Sequence, residues 1–118
     1  MATVSPSGRG PLTGVEYPHD LLWDALRDVP DPELGVSLVD MGMIVDARRE
    51  DARAVVRLTY TAMGCPGAGM IEEDVRARLL RAPGVEEVEI DVVWEPVWTT
   101  ARLTSDGRDA LLLLGVAL

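Results

Sequence analysis

The sequence predicts an α+β domain: a two-layer sandwich in which a small three-stranded sheet carries helices on one face. Three observations lead there. Apolar residues recur at helical spacing over 22–29 and 71–82, and alternate with polar ones over 56–62 and 88–94. Proline or glycine punctuates most of the junctions between these stretches. The resulting order is α-β-β-α-β-α.

The first helix rests on Leu22, Ala25, Leu26 and Val29, with Asp20, Asp24, Arg27 and Asp28 on its other faces. Pro30 and Pro32 end it, because proline disfavours helical geometry in the residue before it and has no backbone donor. DPELGVSLVDMG then reads as a loop, MIVDARR as a short strand and EDAR as a turn. AVVRLTYTA is a second strand, with Val56, Leu58, Tyr60 and Ala62 on one face and Arg57, Thr59 and Thr61 on the other. So short a turn makes the pair an antiparallel hairpin. A second helix follows GCPG on the stripe Ile71, Val75, Leu79 and Ala82, and Pro83-Gly84 stops it. Glu72 with Arg76, and Asp74 with Arg78, are spaced for surface ion pairs. In EEVEIDVVWE, Val88, Ile90, Val92 and Trp94 point inward, and Glu87, Glu89 and Asp91 outward. The pattern leaves open whether this strand lies beside the first or the second. EPVWTTARLT is extended or loop, and Ser105 caps a last helix over 106–114.

A chain of 118 residues with 47% apolar content suits one domain with a real core. Residues 1–18 are rich in Ser, Gly, Pro and Thr without periodicity, and read as a flexible arm before a domain over 19–118. Eleven basic against 20 acidic residues give a formal charge of −9. That argues against nucleic acid and anionic lipid as partners, since basic charge supplies most of both affinities. No stretch approaches the roughly 20 apolar residues that span a membrane, and the first 18 lack a secretory pattern. The tail LLLLGVAL is apolar but short, and is expected to pack on the core or on a partner chain. One cysteine excludes an internal disulfide framework. The expected location is the cytosol.

That cysteine, Cys65, lies in YTAMGCPGAGM, between the second strand and the second helix. If Pro66 is the first helical residue, Cys65 is the cap, and the amides of Gly67 and Ala68 favour its thiolate. Gly64, Gly67 and Gly69 leave room for a visitor to approach. Glu72, Glu73 and Asp74 act against the thiolate from one to two turns away. A small buried cysteine would look the same, so spacing leaves both readings open. His19, the only histidine, sits far off along the chain at a helix start, where it reads as a surface residue.

Two further features stand out. Asp31 and Glu33 flank Pro32, which stiffens the segment, and Asp40 follows before Gly42. Three acids around one loop can bind a hard cation, orient a thiol or mark a docking surface; they also simply solvate turns. In WEPVW, Trp98 is either core or an exposed anchor for a partner.

Taken together, DPELGVSLVDMGMI, TYTAMGCPGAGMI and PGVEEVEIDVVWEPVWT resemble the SufT and PaaD-type metal–sulfur cluster assembly proteins, over about residues 20–115. VVWEPVWT is most similar to the SufT branch. The usual Asp-Leu-Gly before the first strand appears as Asp40-Met41-Gly42, and the cysteine-rich tail of many PaaD-type members is missing. The resemblance implies a role in maturing iron–sulfur proteins. Cys65, Asp31 and Glu33 would be the cluster or metal residues, supported by Asp40, Thr61, Gly64, Pro66 and Gly67. It implies a transient iron–sulfur cluster or iron as cargo, and a cluster carrier and client apoproteins as partners. A cluster normally needs about four protein ligands, mostly thiolates. One chain offers one, so a homodimer would supply two. The alternatives are an adaptor that binds no cluster and a thiol enzyme, the latter weakened by the lack of a positioned histidine or second cysteine.

Overall fold

The first helix, α1, begins where Asp20 can serve it. Its carboxylate accepts the Trp23 amide at 3.0 Å, satisfying one of the donors a helix start leaves unpaired. The computed structural model describes residues 15–61 and 68–116, and α1 spans Leu21–Arg27 within them. It buries Leu22, Trp23, Ala25 and Leu26. Trp23 widens the predicted stripe because the Tyr17 ring stacks on it, centroids 5.6 Å apart. Of the stretch expected to be an arm, residues 15–18 are described and are bonded to the domain. The Val15 amide reaches the Leu103 carbonyl at 3.2 Å, and the Tyr17 hydroxyl donates to the Arg102 carbonyl at 2.6 Å.

The loop after α1 is irregular but built into the core. Val36, Leu38, Val39, Met41 and Met43 are buried. Leu38 N–H bonds the Val29 carbonyl at 2.9 Å, and Met43 N–H bonds the Leu38 carbonyl at 3.0 Å.

Strands β1 (Ile44–Glu50) and β2 (Arg53–Leu58) form the expected antiparallel hairpin around Asp51 and Ala52. Asp51 takes a left-handed φ of 56°, which aspartate tolerates better than most residues. The register shifts between Ile44 and Asp46, so Ile44 and Ala47 both reach the inner face although three residues apart. β3 (Glu87–Val92) runs parallel to β2, giving the order β1-β2-β3 with β2 central. This settles the pairing the sequence left open. Ala54, Val56 and Leu58 of β2, in register with Val88, Ile90 and Val92, make the inner row. The outer face is charged: Arg48 meets Asp46 and Glu50, and Arg53 meets Glu50 and Glu89. Hydrogen bonds from Arg48, then Arg53, hold the Glu50 carboxyl below its ordinary range.

Helix α2 (Ala68–Leu80) is the crossover between the parallel strands and packs against α1 and β3. Its predicted stripe, Ile71, Val75, Leu79 and Ala82, is buried. Its arginines leave the helix instead of pairing along it. Arg76 donates to the Val88 carbonyl at 2.6 Å, and Arg78 meets Asp28 at 3.1 Å. Those partners hold α2 to β3 and to α1, which a pair within the helix would not. A short 3-10 turn, Thr100–Arg102, precedes helix α3 (Ser105–Leu113). The cap of α3 is Thr104 rather than Ser105: Thr104 is extended, and its hydroxyl oxygen accepts the Gly107 amide at 3.0 Å. Of the apolar tail, Leu111 is buried while Leu112, Leu113 and Leu114 are exposed.

One predicted facing changes. Trp94 is not in the core but 68% exposed. The ladder ends at Leu58 opposite Val92, so two residues on there is no buried row beneath the indole. Thr59, placed on the face it shares with Arg57 and Thr61, is buried there, because the segment after β3 crosses it and Pro96 offers its carbonyl at 3.4 Å.

Gly42 and Gly35 separate two costs. Both have φ of +73°, but a Cβ at Gly42 would collide with Arg102 whereas at Gly35 it meets nothing. Gly35→Ala should cost about 1 kcal/mol and Gly42→Ala about 3 kcal/mol, read from urea midpoints. Tyr17 adds a pH dependence. Burial raises its pKa, against the smaller pull of Arg102. A folded value above the unfolded one, about 10, means its contribution is complete below that pH and is lost as pH rises through the folded value. Tyr17→Phe should flatten the alkaline fall in stability measured between about pH 9 and 11.

Candidate functional site

One end of the sheet gathers the segments that the motifs mark. β1 starts there at Ile44, β2 ends there at Leu58, and β3 ends there at Val92. Thr59 is pinned between the strands: its amide donates to the Met43 carbonyl at 2.9 Å and its hydroxyl to Pro96. Tyr60 and Thr61 continue from it toward α2. The Tyr60 hydroxyl donates to Glu72 Oε2 at 2.9 Å, so a side-chain bond joins the two flanks of the β2–α2 connection. Cys65, with Gly64, Pro66 and Gly67, belongs to that connection and lies outside the described residues. Thr61 is half-buried on its near flank.

The acidic residues divide into two separate places. Asp31 is 6% exposed and organises its own turn. Its Oδ1 accepts the amides of Glu33 at 2.8 Å and Leu34 at 3.0 Å. Its backbone bonds Val36 and Gly35, both at 2.8 Å. Pro32 cannot donate, so the carboxylate reaches past it to the next two amides. Glu33 is brought beside Asp31 by that turn but is exposed. Asp40 belongs elsewhere. Its Oδ1 accepts the Thr104 hydroxyl at 2.8 Å, and its carbonyl accepts the Thr104 amide at 3.0 Å. Gly107 sits so close over that carbonyl that a Cβ would clash. Asp40 therefore seats α3 on the loop before β1. Among the described residues, no group of three or more His, Cys, Asp or Glu side chains is placed to hold a metal ion. Asp31, Glu33 and Asp40 do not form a cation site by themselves.

The tryptophans also divide. Trp98, left open between core and anchor, is partly buried, and its indole N–H donates to the Met41 carbonyl at 2.7 Å. Trp94 is the open one. Three positioning residues escaped the sequence reading. Arg102 donates to the Gly42 carbonyl at 2.7 Å and the Ile44 carbonyl at 3.1 Å, with its guanidinium 5.9 Å from the Tyr17 ring centre. Tyr60 and Glu72 are 12 residues apart in the chain, a separation with no periodic signature.

This fold, with an Asp-Pro-Glu turn after the first helix and a Cys-Pro junction between β2 and α2, belongs to a known group. The family model for iron–sulfur cluster assembly proteins matches residues 20–92, from the cap of α1 to the end of β3. The chain is a member of that family. It is 39% identical over 93 residues to the Fe-S protein maturation auxiliary factor YitW of Bacillus subtilis, covering 78% of this chain and 88% of that protein. It is 34% identical over 90 residues to the Fe-S protein maturation auxiliary factor SufT of Staphylococcus aureus, covering 75% and 99%. The crystal structure of a domain of unknown function, DUF59, from Bacillus anthracis superposes with a TM-score of 0.69 at 41% identity, covering 81% of this chain and 90% of that one. The resemblance to SufT and PaaD-type proteins and the α+β fold are thereby established.

The Asp31 turn makes a testable distinction. Asp31→Ala leaves two amides of an exposed turn without their buried acceptor and should cost about 1 kcal/mol. Asp31→Asn, which keeps an oxygen, should cost less than half of that, and Glu33→Gln should leave the urea midpoint unchanged.

Proposed function

We propose that the chain is a maturation factor for iron–sulfur proteins, not itself an enzyme, acting in the cytosol between a cluster carrier and client apoproteins. The observation that carries this reading is the family match over residues 20–92. The relatives' names as Fe-S protein maturation auxiliary factors support it. Cys65, the one thiol of the chain, three residues before α2 begins, is the working group. The cluster is cargo, held in passing. A single thiolate per chain is too few for the usual four-ligand shell, so two chains, or a chain and its partner, complete it. An incomplete shell gives up its cluster readily, which suits delivery.

Asp31 and Asp40 each have an oxygen already committed to protein donors. That favours a supporting role for the acids: Asp31 shapes its turn, Glu33 is the acid free to tune or complete the shell, and Asp40 fixes α3. The same observation supports the second reading, an adaptor that brings carrier and client together without holding a cluster.

Iron and acid-labile sulfide per chain, measured after anaerobic reconstitution and gel filtration, separate the two. The maturation factor that carries cargo should retain both, and Cys65→Ala should lose them. In cells, Cys65→Ala should reduce client enzyme activities at least tenfold at unchanged protein level. Client activities equal to wild type would sink the role given to Cys65. Retention of nothing by the wild-type chain, with clients still dependent on it, would establish the adaptor.

A further inference from the structure

The loop after β3 presents two large apolar side chains to solvent: Trp94, 68% exposed, and Val97, 61% exposed. Tryptophan is seldom left so open. The backbone that carries it is tied down. The Val93 amide donates to the Leu58 carbonyl at 2.7 Å, Thr59 Oγ1 donates to the Pro96 carbonyl at 3.4 Å, and Trp98 Nε1 donates to the Met41 carbonyl at 2.7 Å. These bonds fix the chain on both sides of Trp94 and directly before and after Val97. An aromatic held out on a fixed frame docks with little loss of entropy, and tryptophan is the residue type most enriched at binding hot spots.

Charge selects what docks. Glu95 adjoins Trp94 in the chain and Asp91 lies three residues before it, and neither makes an ion pair among the described residues. The sequence has no basic residue between Arg81 and Arg102. A second copy of this chain, itself at −9, would set acids against acids. The geometry points to Trp94 and Val97 as the docking anchor for a protein partner of the opposite character: an apolar socket rimmed by arginine or lysine. Thr59, which holds the loop, precedes Cys65 by six residues, at most about 21 Å of extended chain. A partner seated on Trp94 is therefore within reach of the thiol. This deepens the maturation reading and rests on it.

The test is complementation of a deletion strain by the full chain and four variants: Cys65→Ala, Trp94→Ala, Trp94→Phe and Glu95→Arg. The readout is the activity of iron–sulfur-cluster-dependent enzymes in the cell extracts. Purified variants are checked by unfolding midpoint and gel filtration. Trp94→Ala and Glu95→Arg are expected to lower the activities at least fivefold with the midpoint unchanged, and Trp94→Phe to restore most of the loss. Full complementation by Trp94→Ala overturns the anchor; if Cys65→Ala still fails in the same strain, the maturation reading survives it. A dimer that Trp94→Ala converts to monomer also overturns the anchor, because the patch then covers a second copy. Enzyme activities that stay normal in the deletion strain remove the proposed function and this inference together.

Discussion

The close approach of Arg102 to Gly42 organises this molecule. With no Cβ at position 42, the Arg102 backbone comes into contact there, and its guanidinium takes the carbonyls of Gly42 and Ile44. One residue thus ties the start of β1 to the segment before α3. Its own carbonyl accepts the Tyr17 hydroxyl, and Tyr17 stacks on Trp23 of α1. Two places away, Thr104 donates two hydrogen bonds to Asp40, one from its hydroxyl and one from its amide. The loop over 37–44 could not be irregular and buried at once without these partners, since buried backbone polar groups must be satisfied. Because the loop is fixed, the end of the sheet beside it is fixed too, and with it the frame around the β2–α2 connection.

Much of the fold is legible in the sequence because its signals are local. The stripe of α2, the inner row of the strands and the tight hairpin are set by period and by turn chemistry, and the structure keeps them. What the sequence does not carry is where elements end against one another. Trp94 continues the alternation of β3 perfectly, yet its partner strand has already stopped at Leu58. Glu72 and Arg76 stand at ideal helical spacing, yet tertiary partners, Tyr60 and Val88, offer better-placed groups. Thr59 is polar by pattern and buried by a segment nearly 40 residues further on.

The candidate site is legible in a different way. Its residues are recognisable by resemblance, while their division of labour is not. Asp31, Glu33 and Asp40 read as one acidic group along the chain. In three dimensions Asp31 is a turn former, Glu33 stands free beside it, and Asp40 is a clamp for α3. Carboxylates two to nine residues apart look alike in sequence; only their donors distinguish them, and those donors come from Leu34 in one case and Thr104 in the other.

Both outer strands of the sheet have a backbone carbonyl claimed by an arginine: Ile44 of β1 by Arg102, and Val88 of β3 by Arg76. A sheet of three strands has two open sides, each a template on which another extended chain can grow. Here an arginine side chain already occupies an edge acceptor at each margin, so a further strand would have to displace it before it could pair there.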